Sequence, residues 1–185
     1  MSIMQPMKPV SLFPIIIAIC LFSSARAADW AQLQGDAGRS GNAPGEVLKV
    51  PLGLVAAVPL TDGVQAAPVV ADGVVYVIDG SGGVFAIDTQ TFKVKWRFAT
   101  KGGAGNCNNV AAPAVVGKYL HLGTAAGFYY VLNRASGDMV KTIDCAEPIF
   151  SAPAVGKSRV YFATLGARIY AVSPEGEVEW TWDFV

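Results

Sequence analysis

The sequence predicts an all-β fold, a β-propeller of four-stranded blades, and three observations carry that reading. One unit recurs three times: "AAPVVADGVVYVIDGSGGVFAIDTQTFKVKWRF" from Ala66, "AAPAVVGKYLHLGTAAGFYYVLNRASGDMVKTI" from Ala111 and "SAPAVGKSRVYFATLGARIYAVSPEGEVEWTWDF" from Ser151. Their prolines, Pro68, Pro113 and Pro153, stand 45 and 40 residues apart, which is a blade-sized period. Each unit splits into short runs of β-branched and aromatic residues joined by glycine-bearing turns, and no segment shows helical periodicity.

Residues 1–27 stand outside the fold. Lys8 supplies a basic start, Ser11 to Phe22 is an apolar run too short to span a bilayer, and Ala25-Arg26-Ala27 matches a cleavage pattern. These features predict a signal peptide cut near Ala27 and an exported protein, periplasmic or extracellular. Ile19 before Cys20 disfavours a lipid anchor. No membrane span is expected in the mature chain.

With Lys8 and Arg26 gone, twelve basic residues face fourteen acidic ones. No basic block remains to meet a phosphate backbone, so nucleic acid is excluded as a partner.

Residues 28–61 form a leader that ends in "LVAAVPLT" (Leu54 to Thr61), an orphan outer strand just ahead of the first unit. The blades follow over 62–185, divided at about 62–104, 105–147 and 148–185. In the first, Ala67 to Val70 is a short inner strand and Val74 to Asp79 the second. Gly80 to Gly83 turns into the third, Val84 to Asp88. The fourth alternates Val94, Trp96 and Phe98 with Lys93, Lys95 and Arg97, one face packed and one wet. In the third unit Val178, Trp180, Trp182 and Phe184 alternate in the same way. Three blades are fewer than a closed propeller needs. The expectation is therefore the N-terminal part of a larger ring, its end faces covered by missing C-terminal blades or by self-association.

These units resemble the pyrroloquinoline-quinone (PQQ) enzyme repeat, whose family forms eight-bladed propellers. In that family A-x-D-x-x-T-G-x-x-x-W is a tryptophan-docking motif. It falls here on Ala86, Asp88, Thr91 and Trp96, with Phe92 in the glycine position. The second copy keeps Ser136 and Gly137 but has Val131, Asn133 and Lys141. The third keeps Ala171, Gly176 and Trp180, with Ser173 for the aspartate. The leader "DWAQLQGDAGRSG" is also similar to that of exported members. The resemblance implies a structural docking role for these residues. The family includes PQQ-dependent dehydrogenases and members that bind no PQQ, among them a propeller lipoprotein of outer-membrane β-barrel assembly, so fold does not decide function.

Candidate chemistry is thin. Asp88 reads as the cap of an Asx-turn at Gln90 and Thr91, because Asn133 and Ser173 can take the same position and neither replaces a general base. His121, the single histidine, occupies a place held by Tyr76 and Tyr161 and reads as packing. Cys107 and Cys145 both precede a first strand, which makes them a candidate inter-blade disulfide; no metal site is expected. In the family, loops on that face gather ligands, which points to 101–109, with Asn106, Asn108 and Asn109, and to 141–150. Phe92 is an oddity. A bulky residue in a left-handed turn costs about 1–2 kcal/mol, so either the turn changes type or the ring packs to offset the strain.

The leading expectation is an exported non-enzymatic propeller acting as a protein-binding or assembly scaffold, with no cofactor. The alternative is the N-terminal part of a PQQ-dependent periplasmic dehydrogenase, with PQQ and calcium. Such an enzyme implies adjacent cysteines, an aspartate base beside calcium and often a C-x-x-C-H haem site, none of which occurs in these 185 residues.

Overall fold

The computed structural model describes residues 29–47, 49–102 and 108–184. Within them the β-branched runs form twelve strands and no helix. They make three antiparallel sheets in simple up-and-down order. The first holds β1 (Val69–Ala71), β2 (Val74–Ile78), β3 (Gly83–Asp88) and β4 (Val94–Ala99). The second holds β5 (Ala114–Val116), β6 (Tyr119–Gly123), β7 (Phe128–Asn133) and β8 (Met139–Asp144). The third holds β9 (Ala154–Val155), β10 (Val160–Ala163), β11 (Arg168–Val172) and β12 (Val178–Asp183).

One register runs through all three blades. Val69, Tyr76, Ala86 and Trp96 lie side by side across the first sheet. Ala114, His121, Val131 and Lys141 do so in the second, and Ala154, Tyr161, Ala171 and Trp180 in the third. A register irregularity follows the third member of each row, after Ala86, Val131 and Ala171. Because strand side chains alternate, each row points to a single face. In the first two blades that face meets the next blade.

The cores lie between blades. Tyr76, Ile78, Val84 and Ala86 of the first blade pack on Leu120, Leu122, Tyr130 and Leu132 of the second. Tyr129 and Val131 pack in turn on Val160, Phe162, Tyr170 and Val172 of the third. Tyr129 stacks on Phe162 with ring centroids 3.8 Å apart, and Phe162 on Tyr170 at 4.8 Å. The apolar row of β12 has no blade beyond it among the described residues. Trp180, Trp182 and Phe184 are 43%, 62% and 67% exposed.

The leader straps the inner strands together. Trp30 exchanges two backbone hydrogen bonds with Val70 of β1, at 2.7 and 2.9 Å. Ala31 O accepts from Val115 N of β5, and Gln32 Oε1 from Val155 N of β9. Arg39 then donates to Ala152 O. Residues 30–39 thus touch all three blades in turn. The segment 54–61 pairs with no strand among the described residues. It lies against the first blade, with Val58 and Leu60 on Val77, Phe85 and Ile87, and Thr61 Oγ1 donating to Asp79.

Candidate functional site

The residues singled out by sequence gather at the seams between blades. Asp88 ends β3, where the chain must reverse into β4. Its Oδ1 accepts from the N–H groups of Gln90 and Thr91, at 3.1 and 2.8 Å, and from the Thr91 hydroxyl at 2.9 Å. The Thr91 N–H and hydroxyl, with Gln90 and the Lys95 charge, hold the carboxyl below its ordinary range against slight burial. Asn133 accepts from Ala135 N–H, and Ser173 Oγ from Glu177 N–H, in the matching turns. A group so engaged in its own turn is poorly placed to act as a base.

Trp96 crosses from the first blade to the second. Its indole Nε1–H donates to Arg134 O at 2.9 Å, and Tyr76 O–H reaches the same carbonyl at 3.3 Å. The two rings lie 6.0 Å apart. The indole lies against Gly137, where a Cβ would come within 2.7 Å of it. At the next seam His121 Nε2 stands 2.9 Å from Pro174 O, which occupies the repeat position of Arg134. A carbonyl only accepts, so Nε2 carries the proton and Nδ1 accepts from Tyr129 O–H at 3.1 Å. Burial pushes His121 down to about 4, with the Pro174 bond and Glu175 opposing. It is a neutral fastener over the physiological range. Lys141, in the tryptophan position, pairs with Glu177 at 2.8 Å. Gly176 lies under Val131 and Lys141.

In the third blade Ala171 is fully buried, and Trp180 lies 6.0 Å from Tyr161, the spacing of Trp96 from Tyr76. At Phe92 the turn keeps its type. Phe92 N–H donates to Asp88 O at 2.9 Å, as Gly137 does to Asn133 O at 2.8 Å, and φ is 56° against 80°. Phe92 is 39% exposed, an exposed residue, so the expected packing that would offset the strain is not seen.

The loop face is only partly described. Cys107 and Asn106 lie outside the described residues, so the pairing with Cys145 does too. Cys145 is buried, and burial raises its thiol above the ordinary range. Asn109 is 1% exposed, which sets it apart from a ligand-facing residue. Its Nδ2 donates to Gly80 O of the first blade at 3.1 Å, and its Oδ1 accepts from Ala125 N–H of the second at 2.9 Å.

Sequence reasoning misses Asp79. Fully buried, it accepts from Thr61 Oγ1, Asp62 N–H, Ser81 N–H and Oγ, and Gly83 N–H. Burial raises its pKa, but these donors together outweigh that and leave it below the ordinary carboxylate range. The available signal was a side-chain oxygen before each second turn, Asp79, Thr124 and Thr164.

A shallow groove of about 320 Å3 runs between Thr61, Gly83, Phe85, Arg97, Phe98 and Ala99, with no acid–base pair on its walls. Among the described residues no group of three or more His, Cys, Asp or Glu is placed to hold a metal ion. The chain's cysteines stand at 20, 107 and 145, none adjacent.

No curated protein matches the chain in sequence. Among solved structures it is similar to a quinohemoprotein alcohol dehydrogenase from Comamonas testosteroni, 26% identical, with a TM-score of 0.66 over 87% of this chain and 28% of that one. It is also similar to BamB from Moraxella catarrhalis, 23% identical, with a TM-score of 0.58 over 67% of this chain and 41% of that one. A europium-containing methanol dehydrogenase, 17% identical, gives a TM-score of 0.72 over 85% and 32%. The chain spans less than half the length of each. A family model described as outer membrane protein assembly factor BamB matches residues 54–148, just over half of the chain. Three sheets of one register, docked by the same row of side chains, are therefore blades of a β-propeller, and the chain belongs to this PQQ-like repeat family.

Proposed function

We propose that this chain contributes to an exported, non-enzymatic propeller that binds protein and serves as an assembly scaffold. One observation carries the reading: among the described residues, the carboxylates and the imidazole singled out as candidates are engaged in holding turns and blades. Asp88 and Asp79 cap turns, and His121 bridges blades with a depressed pKa. What the chain offers outward is apolar strand surface on β12, suited to another polypeptide rather than to a small polar substrate. The family description as an outer membrane protein assembly factor supports the same class of partner. The partner is a protein, further blades of the same repeat included. Export follows from the sequence of residues 1–27, with processing near Ala27 and a periplasmic or extracellular destination.

The test is to deplete the protein in its native cell and measure the folded levels of outer-membrane β-barrel proteins. A fall, restored by re-expression, is expected; unchanged barrels would remove the assembly role. The second reading, part of a PQQ-dependent dehydrogenase, is favoured by the 26% identity to the quinohemoprotein enzyme. Saturable PQQ binding in the presence of calcium, with dye-linked alcohol oxidation, would establish it in place of the first.

A further inference from the structure

Each blade turns from its second strand to its third at one repeat position, taken by Asp79, Thr124 and Thr164. The three main-chain N–H groups donate to the carbonyls of Gly83, Phe128 and Arg168, at 2.9, 3.0 and 2.9 Å. The three side chains accept from the N–H groups of those same residues, at 2.8, 3.2 and 3.3 Å. Capping this hairpin is thus a duty that one hydroxyl oxygen fulfils in the second and third blades. A carboxylate brings a second accepting oxygen.

The two oxygens of Asp79 divide their work. Oδ1 serves its own hairpin, accepting from Ser81 N–H, Ser81 Oγ and Gly83 N–H. Oδ2 turns to the incoming chain, accepting from the Thr61 hydroxyl at 2.6 Å and Asp62 N–H at 3.1 Å. The third blade has the same kind of pair with its ends exchanged. There the carboxylate is Glu147, on the connection from the second blade, and the hydroxyl is Thr164 on the hairpin. The neighbouring main chain fixes the correspondence. Gly80 N–H donates to Gly63 O at 2.7 Å and Leu165 N–H to Pro148 O at 2.8 Å, so Asp62 stands where Glu147 does. In the second blade Ala125 N–H donates instead to the Asn109 side chain, at 2.9 Å.

The first blade leans most on this contact. Segment 54–61 pairs with no strand among the described residues, and Leu54 and Val55 are exposed. Apart from the clasp at Asp79, it rests on the blade through the half-buried Val58 and Leu60.

We propose that Asp79 is a two-sided positioning residue: Oδ1 caps its own hairpin, while Oδ2 seats segment 54–61 on the first blade. The carboxylate–threonine pair seats an incoming connection with the carboxylate on either side. A single hydroxyl at position 79 keeps the first duty, as Thr124 and Thr164 do, and loses the second.

The test compares four forms of the full mature chain: wild type, Asp79→Thr, Thr61→Val, and Asp79→Thr with Asp62→Glu, which rebuilds the pair of the third blade. Circular dichroism establishes folding. Methyl NMR reads the seat as NOEs from Val58 and Leu60 to Val77 and Ile87, and hydrogen exchange at the Gly83 amide reads the cap. Asp79→Thr is expected to abolish the NOEs and Thr61→Val to weaken them, while Gly83 stays protected in both. Adding Asp62→Glu to Asp79→Thr is expected to restore the NOEs. Thr61→Val leaves the hairpin untouched and decides the matter even if Asp79→Thr does not fold. The proposal is overturned if the NOEs are unchanged in Thr61→Val, or if Asp79→Thr exposes Gly83 without loosening the segment. It is equally overturned if Asp62→Glu restores nothing.

Discussion

Replacing Gly137 with alanine adds one methyl group at the place where two blades meet. Two penalties follow. The residue sits at φ 80°, where a Cβ costs about 1 kcal/mol. The methyl would also stand 2.7 Å from the Trp96 indole, which must withdraw from Arg134 O or strain the turn, an overpacking cost of about 1–3 kcal/mol. The sum, about 2–4 kcal/mol, lowers the melting temperature of a chain this size by about 4–16 °C. Gly117→Ala is the matched control. Its φ is 56°, but nothing lies within 4 Å of the added Cβ, so it carries the backbone penalty alone, about 2–4 °C. Thermal unfolding followed by far-UV circular dichroism, with near-UV spectra for the indole, measures both variants. In a Trp96→Ala background the two glycine substitutions should cost the same, because the coupling has been removed. If Gly137→Ala melts no lower than Gly117→Ala in the intact protein, Trp96 is not held against that turn and the docking account fails.

Three further outcomes follow from the seams. His121 is buried and neutral, with a pKa of about 4 against 6.5 for an ordinary histidine. The unfolded chain therefore takes up a proton first as pH falls. This contribution is complete above about pH 6.5 and is lost towards about pH 4, by about 3 kcal/mol in all. Urea midpoints across that window should flatten in His121→Tyr, since Tyr76 shows a tyrosine reaching the matching carbonyl; an unchanged slope would mean another group carries it. Gln32→Ala removes the acceptor for Val155 N–H and should destabilise by about 1–3 kcal/mol in denaturant titration; no loss would deny the leader its strapping role. Cys145 stands as a free thiol in the structure; a Cys107–Cys145 bond, which we propose from their sequence positions ahead of two first strands, predicts no free thiol in denatured, unreduced mature protein, and two titratable thiols would dismiss it.

The blades were legible because strand patterning is local: a period of two, a turn and a proline recurring three times leave one reading. Asp88 was legible for the same reason, since its partners Gln90 and Thr91 are its neighbours in sequence. Asn109, Asp79 and the leader were not. Asn109 bonds Gly80 and Ala125, and Gln32 reaches Val155, so their roles exist only once blades are arranged in space. The orphan segment 54–61 was legible in position but not in pairing. Its alternation implies a strand, yet among the described residues it gains its place from Val58 and Leu60 against the first blade.

The docking row shows why a repeat can lose its signature and keep its geometry. At the first seam Tyr76 and Trp96 both donate to Arg134 O; at the second His121 alone reaches Pro174 O, while Lys141 turns to Glu177. The constant element is a main-chain carbonyl in the turn of the following blade, and a backbone group cannot be mutated away. Side chains facing it need only to donate and to fill the space above the glycine, which tyrosine, tryptophan and histidine each do differently. The tryptophan motif therefore decays in the second unit without loss of the seam. Phe92 departs from this pattern: it adds bulk where the matching turns of the other two blades carry Gly137 and Gly176, and it holds the same left-handed conformation.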